Sequence, residues 1–168
     1  SAGDTITVYL TSASKANTVY VSDGSADTAV DLFLDTVVVR DEQDGTVNIA
    51  DIVDYDNDDN VADMLYVATA SPASTTIESG VELHVWTGDT FDPNGVITTH
   101  TTGGDFHVST SSIAYIDTGD SDIGRDALVD TGATLNIDAD TVVRGGDATT
   151  SGTGIIANTA GTPTLILH

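Results

Sequence analysis

The sequence predicts an all-β fold, an antiparallel β-sandwich or barrel of jelly-roll type, on three observations. Apolar and polar residues alternate with period two over many short runs. Turn-forming pairs of Gly, Asp and Asn separate those runs every 8–12 residues. Sustained helical periodicity is confined to one region near residues 47–67. Period-two alternation places one side of a strand in a core and the other in water, which is the pattern of sheets stacked in two layers or closed on themselves.

The elements follow in order. Thr5-Ile6-Thr7-Val8-Tyr9-Leu10 opens the chain as a half-buried strand, followed by 18-TVYV-21 and 29-AVDLFLDTVVV-39. Later runs are 81-VELHVW-86, 105-DFHVS-109, 112-SIAYI-116, 133-ATLNI-137, 141-TVVR-144 and 163-PTLIL-167. Asp23-Gly24, Asp44-Gly45, Asn94-Gly95, Gly103-Gly104 and Gly145-Gly146 punctuate them and suit tight hairpin turns, because these residues tolerate positive φ. Between Val47 and Val67 the apolar residues fall three and four apart, predicting a short helical insertion. The chain reads as one domain over 1–168, or as two lobes, 1–70 and 75–168, joined through Ala70–Ser74. A faint repeat aligns 80-GVELHVWTGDTF-91 with 132-GATLNIDADTVV-143 at a period near 50 residues.

Composition limits the function. The chain of 168 residues has 27 acidic and 4 basic residues and a formal charge of −23. Only Glu42, Glu78 and Glu82 are glutamates, and the cations are Lys15, Arg40, Arg125 and Arg144. Nucleic acids and anionic membranes are poor partners for such a surface, since phosphate contacts require Lys and Arg. With no cysteine, neither disulfides nor thiolate metal sites hold the fold. At roughly 1 M salt the Debye length falls to about 3 Å, which removes the self-repulsion of this charge. The preference for Asp over Glu, the near-absence of Lys and the abundance of Thr resemble the protein style of salt-in halophilic archaea and their tailed viruses. Ser1 is compatible with initiator-Met removal and with signal-peptidase cleavage.

The most acidic stretch, 41-DEQDGTVNIADIVDYDNDDN-60, is the first candidate site. Its half DGTVNIADIV resembles the calcium-binding repeat of dockerin modules over about ten residues, with Asn48 and Asp51 at ligand positions. The first half of that loop departs from the pattern, with Arg40 and Glu42 where short carboxylates belong. Asp54, Asp56 and Asp58 have the one-apart spacing of a calcium loop, and Asp63 would add a late ligand. These four are the candidate metal ligands, for Ca²⁺ or another hard cation, although no cofactor is required.

Other motifs carry less. The segment 127-ALVDTGA-133 resembles the active-site strand of retroviral-type aspartic proteases, and Asp117-Thr118-Gly119 is a second such triplet. The two lie 13 residues apart, too close for two lobes of one enzyme, and both read as turns after strands. His84 and His107 each occupy the polar face of a strand. They would share a metal with an aspartate only if those strands pair. His100 and His168 lie outside such patterns, and Trp86 reads as a core or interface residue.

No catalytic constellation emerges, so the expected function is that of a non-enzymatic structural protein on a repeating surface. A capsid decoration or cement protein of a tailed virus fits best, binding itself, perhaps as a trimer, or a major capsid protein at the virion surface. An S-layer or pilus subunit at the cell surface and a calcium-dependent binding module are the alternatives.

Overall fold

The computed structural model describes residues 1–11, 15–26, 30–43, 45–53, 63–145, 147–160 and 162–167. The strands that alternation predicts do form, but their pairing is parallel. β1 (Thr5–Tyr9), β2 (Asn17–Val21) and β3 (Thr36–Asp41) belong to one sheet, A. β4 (Thr46–Val47) starts sheet B, and α1 (Ile49–Ile52) follows it. β5 (Tyr66–Ala70) and β6 (Ala73–Ile77) start sheet C. From there the chain visits A, B and C in strict rotation. The strands are β7 (Glu82–Val85), β8 (Thr90–Phe91) and β9 (Val96–Thr98), then β10 (Phe106–Val108), β11 (Ile113–Ile116) and β12 (Ser121–Ile123). β13 (Ala127–Val129), β14 (Thr134–Ile137) and β15 (Thr141–Val143) follow, then β16 (Ala148–Thr150), β17 (Ile155–Ala157) and β18 (Leu165–Leu167). The result is a β-solenoid of about six turns, which corrects the expectation of an antiparallel sandwich or barrel.

Alternation is common to both architectures, because each leaves one side of every strand in a core. What distinguishes them is where a strand finds its partner. Leu83, Phe106, Ala127 and Ala148 pair in sequence and lie 23, 21 and 21 residues apart. Each coil therefore pairs with the next coil, not with the strand that follows in sequence. Asn94-Gly95, expected at a hairpin tip, instead turns the chain from sheet B to sheet C. Asn94 takes φ 49°, and a Cβ on Gly95 would lie 2.3 Å from the Ala73 carbonyl oxygen of the preceding coil. The faint repeat near 50 residues is out of phase, since it overlays β7 of sheet A on β14 of sheet B. Among the described residues, antiparallel pairing occurs only between β1 and β2 and between β5 and β6. Ala70–Ser74 forms the tip of that second hairpin, with a cis Ser71–Pro72 bond.

In-register stacking creates columns inside the solenoid. Val39, Val85, Val108 and Val129 form one in sheet A, all nearly inaccessible. Large residues pair with small ones: Phe106 lies beside Ala127, and Phe91 beside Ala114. Such complementarity fills the interior without voids. Polar groups inside the corners are satisfied. Ser121 Oγ accepts the Ile97 N–H at 3.1 Å, and Thr99 Oγ1 accepts that of Gly124 at 2.8 Å.

The helical insertion expected over 47–67 shrinks to the four residues of α1. Asn48 caps it: its Oδ1 accepts the Ala50 N–H at 2.8 Å, and Asp51 Oδ2 accepts the Asn48 N–H at 2.8 Å. This reciprocal capping box uses the same two residues that the dockerin-like reading assigns to a cation.

Candidate functional site

The calcium-loop expectation divides. Asp54, Asp56 and Asp58 lie outside the described residues. Asp63 is half-buried in the turn before β5, where its carbonyl oxygen accepts a hydrogen bond from Asn17 Nδ2 at 3.3 Å. The two Asp-Thr-Gly triplets occupy different corners. Asp117 ends β11 at the B-to-C corner, and Asp130 ends β13 at the A-to-B corner.

Parallel pairing builds a different cluster on the outer face of sheet A. Glu82 and His84 are two apart on β7 and therefore share its outward side. His107, on β10, is the register partner of His84. The imidazoles meet edge to face with centroids 4.6 Å apart. Glu82 Oε1 lies 2.9 Å from His84 Nδ1 and 3.3 Å from His107 Nδ1. On the far side of the rings, Ser109 Oγ is 2.9 Å from His84 Nε2, and Asp130 Oδ2 is 3.2 Å from His107 Nε2. Ser109 and Asp130 follow β10 and β13, so three successive coils contribute to one cluster.

An aromatic wall flanks it. Phe33 stacks on His84 at 6.1 Å and approaches Trp86 at 5.9 Å. The Arg40 guanidinium lies over the rings of Tyr20 and Trp86, at 5.5 and 5.9 Å, and pairs with Glu42 at 2.9 Å. Trp86 thus covers the outer face of the sheet and takes no part in the core.

Burial alone would raise the Glu82 carboxyl, but the hydrogen bonds and charges of His107 and His84 outweigh it and hold the group at about 2. The Glu82 hydrogen bond raises His107 above its ordinary value; partial burial opposes this, and Asp130 adds to the rise. The arrangement is a half-buried hydrogen-bonded relay with two imidazole nitrogens directed at one carboxylate oxygen. Sequence reasoning placed both histidines on outward faces but did not bring in Glu82, Ser109 or Asp130. The missing signal was the 23-residue offset between His84 and His107, which equals one coil.

The last coil has a distinct surface. Leu165 and Leu167 are the register partners of Thr141 and Val143, which face the interior and are 1% and 0% exposed. In the last coil the equivalent side chains are 39% and 50% exposed. Among the described residues, no strand pairs beyond β16, β17 or β18.

The fold and cluster define the chain as an acidic three-sheet parallel β-solenoid. No protein-family model, curated protein or solved structure matches it.

Proposed function

We propose that the chain is a non-enzymatic structural protein that joins a second copy of itself on a repeating surface in concentrated salt. The capsid of a virus of a halophilic host is the favoured setting, and an extracellular S-layer or pilus is the other. The supporting observation is the last coil, whose inward column ends in exposed Leu165 and Leu167 beside three unpaired strand edges. This is the same surface that each inner coil presents to its neighbour, so its complement is another β-coil. A two-fold axis perpendicular to the rod would set β16 antiparallel to its copy and β17 against β18, closing all three edges at once. The charge of −23 opposes that contact in dilute buffer, and salt relieves the repulsion.

Sedimentation of the purified chain tests the reading. In roughly 2 M KCl the wild type should associate with rising concentration, and dilution into low salt should dissociate it. Leu165→Lys with Leu167→Lys should remain monomeric while keeping the wild-type circular dichroism. A wild type that stays monomeric in brine, or a double variant that assembles equally well, would overturn it.

A further inference from the structure

We propose that Glu82, His84 and His107 bind a divalent transition metal of the zinc class, through Nδ1 of both imidazoles and one carboxylate oxygen. The inference rests on the outer face of sheet A and is independent of assembly at the last coil.

Geometry is the first argument. The three donor atoms all lie within 4.8 Å of one another, and both nitrogens are 2.9–3.3 Å from Glu82 Oε1. Zinc bonds of roughly 2.0–2.2 Å, arranged tetrahedrally, place neighbouring donors about 3.2–3.6 Å apart. Shifts of a few tenths of an ångström in side chains therefore suffice, and the backbone need not move. The donors are half-buried at the surface, which leaves the remaining coordination position to solvent.

The outer contacts are the second argument. A histidine that binds metal through one ring nitrogen needs its other N–H held by an oxygen, which fixes both tautomer and ring orientation. His84 has Ser109 Oγ at that position, and His107 has Asp130 Oδ2. Both rings thus turn the same nitrogen, Nδ1, toward the shared point and the same nitrogen, Nε2, toward an oxygen. Two histidines placed only for solubility on a strand face have no reason to share this orientation. Phe33 stacked on His84 limits ring rotation further.

Ligand type selects the ion. Two imidazoles and one carboxylate favour zinc, cobalt, nickel or copper, whereas calcium and magnesium take oxygen donors and higher coordination numbers. The strongly acidic surface concentrates cations of every kind, but only this cluster supplies nitrogen. A bound ion would take Glu82 and His84 from one coil and His107 from the next, so it would also staple two coils together.

The test uses the intact chain, treated with chelator and returned to roughly 2 M KCl, where weak carboxylate binding is suppressed. Titration with Co²⁺ should give one ion per chain, with the visible absorption of four-coordinate nitrogen–oxygen ligation. Zn²⁺ should displace it, and excess Ca²⁺ should not. Double substitution His84→Gln with His107→Gln should abolish the spectrum with circular dichroism unchanged. Asp130→Asn and Ser109→Ala should weaken binding by about 10–100-fold. The proposal is overturned by an absence of stoichiometric Co²⁺ binding, by a spectrum that survives in the double variant, or by displacement with Ca²⁺. Should the double variant lose its fold, Glu82→Gln provides the same readout.

Discussion

At the N-terminal end, β1 folds back antiparallel across β2, and the β5–β6 hairpin closes the first edge of sheet C. Most of β2 and the inward residues of β6 are buried as a result. At the other end β16, β17 and β18 are mostly exposed, although Leu165-Ile166-Leu167 is more apolar than the largely buried Thr141-Val142-Val143 with which it pairs. Hydrophobicity therefore does not decide burial in this molecule; position along the rod does. A coil is stabilised only when another coil covers it, so sequence of similar character gives core in the middle and a reactive surface at the end.

Substitutions in the two regions should separate these roles. Phe106→Ala removes a ring that is 0% exposed in the middle of the rod. It should cost about 3–5 kcal/mol in denaturant unfolding. The equivalent truncation Leu167→Ala should cost under about 1 kcal/mol in monomeric protein, because its side chain is already half in water. Equal costs would remove the distinction. A smaller effect is expected at the sheet C to sheet A corner, where coils approach most closely. A Cβ on Gly124 would lie 2.1 Å from the His100 carbonyl oxygen. Gly124→Ala should therefore destabilise by about 1–3 kcal/mol, whereas Gly88→Ala, whose Cβ would meet nothing within 4 Å, should cost only the strain of its φ of 86°.

The smallest effect is a pH dependence of the metal-free cluster on sheet A. Glu82 is lowered from 4.5 to about 2, so its contribution is complete above 4.5 and is lost as pH falls toward 2. His107 is raised above 6.5, so its contribution is complete below 6.5 and is lost as pH rises through the folded value. Both are present between 4.5 and 6.5. The thermal midpoint of the chelator-treated wild type, measured against Glu82→Gln, should show its greatest advantage in that window and decline on either side. A pH-independent difference would mean that the cluster adds no proton-linked stability.

The strands were legible in the sequence because alternation reports burial on one side, which every β architecture shares. Their partners were not, since Asn94-Gly95 and Gly103-Gly104 bend a solenoid corner as readily as a hairpin. One signal was present: Asp105, Asp126 and Asp147 recur every 21 residues, as do Asp117 and Asp138. The backbone hydrogen bonds place the first three at one corner of successive coils: Phe106 N–H donates to the Asp126 carbonyl, and Ala127 N–H to that of Asp147. A search for a strand–turn–strand period found the wrong interval because it compared different faces of the coil. For the site, outward placement of His84 and His107 was legible, but their meeting required the parallel register, and Glu82 entered only as the residue two before His84. Asn48 and Asp51 misled, because a capping box and half a calcium loop use the same short oxygen-bearing side chains at the same spacing.

The 21-residue coil also makes length a quantised property. Each added turn lengthens the rod by one strand spacing, about 4.8 Å, and brings its own complement for the layers above and below. Duplicating residues 106–126 in place would extend the molecule by one step while leaving both termini and every existing corner as they are. Any other number of inserted residues must leave the rod as a loop. Such a scaffold can be tuned to a span as a ruler is, by counting whole turns.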